Sequence, residues 1–117
     1  MIITGAERVF AIPRTEAEIF DVIDRGNVAV GYFADWCMPC RIVVWGLRDY
    51  SGLKSILSDK RLGLMYVDTD IHREVVRQER VDVIPSVIVY GEGGREIKRF
   101  IGCGSSFTEW LRQQPVR

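Results

Sequence analysis

The chain has 117 residues, of which 47% are hydrophobic and 27% are charged. These fractions are ordinary for a globular domain, and they exclude a disordered chain, a collagen and a disulfide-dense mini-protein. Sixteen Lys and Arg residues balance sixteen Asp and Glu residues. Because no overall field results, neither nucleic acid nor an anionic membrane is favoured as a partner.

We expect a single domain over residues 1–117, because no linker, repeat or low-complexity tract interrupts the sequence. The N-terminal residues lack the basic start and long apolar run of an export signal. No stretch approaches the roughly 20 apolar residues of a membrane helix. Three cysteines are too few, and too odd in number, for an extracellular disulfide framework. These features predict a cytoplasmic protein.

The first half of the chain predicts a strand, a helix and a second strand. A short strand is predicted from Val9 to Ile12, and a capping box at Thr15 and Glu18 opens a helix that ends near Arg25. The nearly uninterrupted apolar run 28–34 is typical of a strand covered on both faces. We therefore expect this second strand to be central.

The second half continues the alternation of helices and strands. A helical stripe follows the central strand, and residues 62–67 predict another buried strand. Asp70 is expected to cap the next helix, and residues 87–101 predict a hairpin with Gly93-Gly94 at its tip. A capping box beginning at Ser106 opens the last helix. The pattern indicates an α/β fold closed by a hairpin.

A pair of cysteines carries the most distinctive chemistry of the sequence. The segment Trp36-Cys37-Met38-Pro39-Cys40 follows the predicted central strand, at the carboxyl end of the sheet where open α/β folds place their sites. A helix that starts here presents unpaired N–H groups and a partial positive charge, which stabilise a thiolate at Cys37. The spacing places Cys40 one turn further along the same face. The pair predicts redox chemistry or metal binding.

Further segments stand in order around this pair: Phe33-Ala34-Asp35 before it, then Val67-Asp68-Thr69-Asp70, Val83-Ile84-Pro85-Ser86, Gly93-Gly94 and Ile101-Gly102. With the cysteine pair, they resemble the thioredoxin family over nearly the whole chain. The resemblance implies the thioredoxin fold, a central mixed β-sheet of about five strands flanked by about four helices.

The resemblance also implies an activity and the residues that carry it. Cys37 is implied to be the exposed attacking thiol and Cys40 the resolving thiol of a protein-disulfide reductase. Pro85 is implied to follow a cis peptide bond and to face the disulfide, and the backbone before it pairs with the client chain as an added strand. The implied client-binding residues are Trp36, Met38, Pro39, Ile84, Pro85 and Gly102.

The implied partners are disulfide-containing client proteins and a separate electron donor of the thioredoxin reductase type. Such a protein serves electron transport and cell redox homeostasis. We expect no bound cofactor, because the chain has neither of the glycine-rich nucleotide-binding patterns.

The chain departs from the family pattern at several positions. Met38 stands where the family typically has glycine. The family's buried acid in the central strand aligns with Gly31, and a nearby lysine is replaced by Tyr66. Deprotonation of Cys40 would then need water or another group. An alternative function is therefore a binding or adaptor module of thioredoxin fold whose cysteines are slow or regulatory.

A metal site is the other alternative, with four formal ligands: Cys37, Cys40, His72 and Cys103. Structural zinc sites commonly use two close ligand pairs, and this sequence has one, so we predict no metal. His72 is expected to be solvated. Asp35 and Cys103 are candidate modulators of the pair, since the acid would raise the thiol pKa and the third thiol follows the docking residues. An inert core thiol is the other interpretation of Cys103.

Overall fold

The computed structural model describes residues 2–103 and 106–113. Its strands are β1 (Val28–Phe33), β2 (Gly63–Asp68), β3 (Ser86–Tyr90) and β4 (Glu96–Ile101). Its α-helices are α1 (Glu16–Arg25), α2 (Met38–Arg48), α3 (Leu53–Lys60), α4 (Arg73–Gln78) and α5 (Ser106–Gln113). The strands form one sheet in the order β2-β1-β3-β4. The predicted α/β fold and its closing hairpin are confirmed.

The central strand β1 is parallel to β2 and antiparallel to β3, which is antiparallel to β4. Phe33 pairs with Asp68, and Tyr32 pairs with Ser86. Ser86 also pairs with Ile101 at the end of β4. The loops that follow β1 and β2, the segment before β3 and the end of β4 therefore meet at one end of the sheet.

Helices cover both faces of β1, which is buried along its whole length. Ala29 and Phe33 belong to the apolar cluster formed with α2, α3 and α5, whereas Val30 and Tyr32 belong to the cluster formed with α1 and α4. Since successive residues of a strand alternate between its faces, Gly31 lies on the side of α2. Two covered faces explain why the run of apolar residues shows no polar alternation.

The predicted strand from Val9 to Ile12 is wrong. A 3-10 turn over Ala6–Arg8 precedes it, and the Phe10 N–H donates to the first carbonyl of that turn at 2.8 Å. Only Ala11 pairs with β2, through an isolated parallel bridge, and Pro13 has no N–H with which to extend the ladder. The described sheet therefore has four strands where about five were expected.

The helix α4 is capped by a side chain from α1. Its N-cap residue is His72, which is buried rather than solvated as expected and makes no side-chain cap hydrogen bond. The predicted cap, Asp70, is therefore wrong. Instead, the Glu16 carboxylate accepts the N–H of Glu74 at 3.2 Å and the N–H of Val75 at 2.7 Å. A negative charge is favourable at this positive end of the helix.

Replacing Glu16 with alanine is expected to lower the free energy of unfolding by about 1–2 kcal/mol, because two N–H groups lose a charged acceptor. Urea unfolding followed by circular dichroism measures this loss. The matched control is Glu7→Ala, which removes an exposed glutamate and should cost less than about 0.5 kcal/mol. Equal losses from the two substitutions would contradict the capping role.

At the opposite end of the sheet from the cysteines, the turn after α1 presses against the hairpin turn. Gly26 has φ +79°, and a Cβ added to it would lie 2.0 Å from the Gly91 carbonyl oxygen. That distance leaves no room for any side chain. The two turns are thus in direct backbone contact.

The helix α5 begins at Ser106, and the residues just before it lie outside the described part of the chain. It buries Phe107, Trp110 and Leu111. The ring of Phe100 on β4 contacts Phe107 and Trp110, with centroids 5.5 and 6.0 Å apart. None of the helices in the described ranges has the length and apolar character needed to cross a membrane.

Candidate functional site

Cys37 ends the loop after β1 and is the N-cap residue of α2. Its Sγ accepts a hydrogen bond from the backbone N–H of Cys40 at 3.3 Å. Met38 is the first helical residue, and Pro39 follows it in the first turn, where its missing N–H removes no intrahelical bond. The predicted position of the cysteine pair, at the positive end of a helix, is confirmed.

Both cysteines are free thiols, and both are buried. Cys37 is 6% exposed and Cys40 is fully buried, so the expectation of an exposed Cys37 is wrong. The capping hydrogen bond explains the difference, because it holds the Cys37 sulfur against the first turn of α2. The neighbours Trp36 and Met38 are 64% and 54% exposed. A reacting disulfide must therefore approach past these two side chains.

Burial raises the pKa of the Cys40 thiol to about 12, and a side-chain hydrogen bond between the Cys40 and Cys37 thiols adds to the rise. The thiolate is the nucleophilic form of a cysteine. Cys40 is therefore a protonated, unreactive thiol at neutral pH.

We expect iodoacetamide to alkylate Cys40 at a rate that rises about tenfold per pH unit between about pH 7 and 10, because the thiolate fraction rises by that factor below the pKa. The measurement uses a Cys37→Ser, Cys103→Ser variant, in which Cys40 is the one remaining thiol. A Cys37→Ser, Cys40→Ser variant, which retains the exposed Cys103, is the control for access. A plateau in the Cys40 rate below about pH 9 would contradict the raised pKa.

Trp36 is connected to the loop after β2. Its indole Nε1–H donates to the Asp70 carboxylate at 2.9 Å, and the Asp70 N–H donates to Asp68 Oδ1, also at 2.9 Å. Asp70 thus fixes an exposed tryptophan beside Cys37 instead of capping a helix. This contact joins the loops that follow two neighbouring parallel strands.

The peptide bond between Ile84 and Pro85 is cis, as the resemblance implied. Pro85 directly precedes β3, and its carbonyl accepts the N–H of Gly102 at 2.8 Å. Gly102 has φ +87°, in the region that favours glycine. The strand pairing places these three residues at the same end of the sheet as Trp36 and Cys37.

Arg99 fixes the chain upstream of the cis proline, and sequence reasoning missed it. Its guanidinium donates to the carbonyls of Glu79 at 2.9 Å and Arg80 at 3.1 Å, and it pairs with Glu96 at 2.9 Å. The contacts attach β4 to the end of α4. No sequence signal indicates them, because two of the three acceptors are main-chain oxygens.

An aromatic cluster occupies the position that aligns with the family's buried acid. A Cβ added to Gly31 would lie 2.1 Å from Cε2 and 2.3 Å from Cζ of Phe33. The Phe33 ring packs against Phe10 and Tyr66, with centroid distances of 5.7 and 5.1 Å. Burial raises the pKa of Tyr66 to about 12, and its hydroxyl oxygen accepts the N–H of Ile3 at 3.2 Å. The cluster is thus filled and uncharged at neutral pH.

The candidate modulators lie in different environments. Cys103 is exposed, so the interpretation as a core thiol is wrong. Asp35 is half-buried, and its backbone carbonyl accepts the Arg41 Nε–H at 2.8 Å. Within residues 2–103 and 106–113, no three His, Cys, Asp or Glu side chains come together in a way that could hold a metal ion.

The family model for Thioredoxin matches residues 12–113. The bifunctional thioredoxin reductase/thioredoxin of Mycobacterium leprae (strain TN) is 34% identical over 93 residues, which are 76% of this chain and 19% of that protein. Thioredoxin-T of Drosophila melanogaster is 31% identical over 78 residues, which are 67% of this chain and 46% of that protein. The chain thus spans less than half the length of either relative.

Among solved structures, thioredoxin O2 from Arabidopsis thaliana in its oxidized state has a TM-score of 0.74 to this chain at 17% sequence identity. The match covers 95% of this chain and 97% of the other. At this identity the likeness concerns the fold, and the fold predicted from sequence is confirmed.

Proposed function

The chain belongs to the thioredoxin family, and on this premise we propose that it is a thiol-disulfide oxidoreductase that reduces protein disulfides. The supporting observation is the hydrogen bond from the Cys40 N–H to the Cys37 Sγ at the start of α2. It holds the two residues within one helical turn, where the partial positive charge favours a thiolate at Cys37.

In the proposed cycle, the Cys37 thiolate attacks one sulfur of a client disulfide and the other client sulfur leaves as a thiolate. Cys40, once deprotonated, attacks the Cys37 sulfur of the mixed disulfide. A Cys37–Cys40 bond forms, the bond to the client breaks, and the client leaves with both of its sulfurs reduced. Two electrons have then passed from the cysteine pair to the client.

The proposed client-binding surface surrounds the buried Cys37. The exposure of Trp36 and Met38 supports it, as does the arrangement of strand ends that brings Ile84 and Gly102 to the same end of the sheet. The backbone before Pro85 would pair with an extended client segment, and apolar side chains would contact it. Its residues are Trp36, Met38, Pro39, Ile84, Pro85 and Gly102.

The proposed partners are disulfide-containing proteins and a separate electron donor of the thioredoxin reductase type. The Mycobacterium leprae relative, which is named as both reductase and thioredoxin, supports this second partner. We propose the cytoplasm as the location, since reducing compartments keep an odd set of thiols reduced. Electron transport and cell redox homeostasis are the processes that such a cycle serves.

A redox titration tests the proposal. A Cys103→Ser protein is equilibrated in defined thiol-disulfide buffers, and the Cys37–Cys40 disulfide is quantified by mass spectrometry after acid quenching. We expect one two-electron transition near about −270 mV, the range of a reductant, whereas a value near about −120 mV would indicate an oxidant. The absence of any transition would overturn the proposal. In that case, client binding that survives Cys37→Ser would support the adaptor alternative.

A further inference from the structure

We infer that the Cys40 thiol loses its proton to solvent without the help of a side-chain base, because the Phe33 ring fills the space at Gly31 from which such a base would reach it. The inference rests on the proposed function. It concerns the second half of the cycle, in which Cys40 attacks the mixed disulfide at Cys37.

The filled space is defined by the pairing of the strands. Gly31 pairs with Tyr66 on β2 and with Val87 on β3, and its free face points toward the layer that contains α2. A side chain at this position would project between those neighbours, toward the helix that carries Cys40. The Phe33 ring already occupies that volume, since its Cε2 and Cζ atoms lie within 2.3 Å of an added Cβ.

The buried cluster that contains Cys40 is mostly apolar. β1 presents Ala29 and Phe33, and β3 presents Val87 and Val89. The cluster also takes its residues from α5 and the N-terminal segment, and those residues are apolar. None of these side chains can accept a proton.

The charged or titratable residues that interact with Cys40 or with the adjoining Tyr66 include Cys37, Asp68 and Asp35, and Arg41 contacts the Asp35 carbonyl. Cys37 is already bonded to the client at this step. Tyr66 retains its proton because burial raises its pKa to about 12, and Arg41 is a cation that donates to the carbonyl of Asp35. Asp68 Oδ1 accepts the Asp70 N–H. The two carboxylates are therefore the rival bases that a test must address.

In the proposed step, a solvent water or hydroxide takes the proton of the Cys40 thiol and becomes hydronium or water. The Cys40 thiolate then attacks the Cys37 sulfur, the Cys37–Cys40 bond forms, and the client sulfur leaves as a thiolate. Because only the thiolate attacks and no side-chain base helps to form it, the rate of this step should rise with the thiolate fraction, about tenfold per pH unit below the pKa.

The experiment is a single turnover of the reduced Cys103→Ser protein with one equivalent of dithiobis(nitrobenzoate), followed by stopped-flow absorbance. Attack by Cys37 releases the first thionitrobenzoate, and attack by Cys40 releases the second. We expect the second rate to rise about tenfold per pH unit from about pH 6 to 9, without a plateau, as for a thiol with no internal base. A plateau in this range would overturn the inference.

Variants identify the cause of the pH dependence. The double variant Gly31→Asp, Phe33→Leu lacks the Cε2 and Cζ atoms of the Phe33 ring and places a carboxylate in the space that they occupied. We expect its second phase to be about a hundredfold faster near pH 6.5 and to reach a plateau, as with general-base catalysis. Phe33→Leu alone is the matched control and should retain the wild-type slope. A folded double variant with the wild-type slope would overturn the role of Phe33.

The rival bases are tested with Asp68→Asn and Asp35→Asn in the wild-type background. We expect both variants to keep the wild-type slope, whereas a loss of the second phase in either one would assign the base to that carboxylate and overturn the inference. If the double variant at positions 31 and 33 does not fold, the pH profile of the wild-type second phase still decides whether an internal base acts on Cys40. A missing first phase would instead count against the proposed function.

Discussion

Replacing Cys37 with serine is expected to lower the rate of disulfide reduction by at least about three orders of magnitude, because a serine hydroxyl at this position is not ionised and cannot start the exchange. Replacing Cys40 with serine should preserve the first attack and block resolution. The expected product is therefore a covalent mixed disulfide between Cys37 and the client. Stopped-flow assays with a model disulfide and intact-mass spectrometry measure the two effects.

Cys103→Ser is the matched control for both substitutions, since it removes an exposed thiol that lies outside the pair. We expect this variant to reduce the model disulfide at the wild-type rate. Fast reduction that persists in Cys37→Ser, or reduction that is lost in Cys103→Ser, would show that Cys37 is not the attacking thiol. Circular dichroism of each variant ensures that lost activity is not lost folding.

The substitution Phe33→Ala should lower the free energy of unfolding by about 3–5 kcal/mol, the range for deleting a buried aromatic side chain. Phe33 is fully buried and contacts the rings of Phe10 and Tyr66. The neighbouring Gly31 has no side chain with which to refill the space. Urea unfolding measures the loss.

Phe20→Ala is the control for this prediction, because Phe20 is only partly buried and lies on the opposite side of the sheet. The decrease in the free energy of unfolding should be clearly smaller for Phe20→Ala than for Phe33→Ala. A comparable loss in the two variants would show that the aromatic cluster under α2 does not carry the stability assigned to it. Phe33→Ala also opens the space beside Gly31, so its pH profile of resolution can be compared with that of Phe33→Leu.

Much of the fold was predictable because the apolar pattern reports burial directly. The uninterrupted run 28–34 marks a strand between two helix layers, and Thr15 caps α1 through the Glu18 N–H as its spacing indicates. The segment from Val9 to Ile12 has the same apolar character, yet a local turn and Pro13 limit it to one bridge. Local composition does not reveal such competition between a turn and a sheet.

The site was predictable where chemistry depends on neighbours in sequence, and less so where it depends on the fold. Spacing placed Cys37 and Cys40 on one helical turn, but it could not show that the Cys37 sulfur turns inward. Asp70 has the composition of a cap, and its partner is an indole 34 positions away. Glu16 is 58 positions away from Glu74, whose N–H it accepts at the start of α4. Each of these contacts exists only once the strands are paired.

The contact between Gly26 and the Gly91 carbonyl bears on how the sequence can vary over evolutionary time. Any replacement at position 26 adds a Cβ where the other turn already has an oxygen, so even alanine would push the two turns apart. Natural and laboratory variants should therefore lack substitutions there, although it lies at the far end of the molecule from the reacting sulfurs. Gly46, whose added Cβ would meet no atom within 4 Å, should by contrast accept many residues.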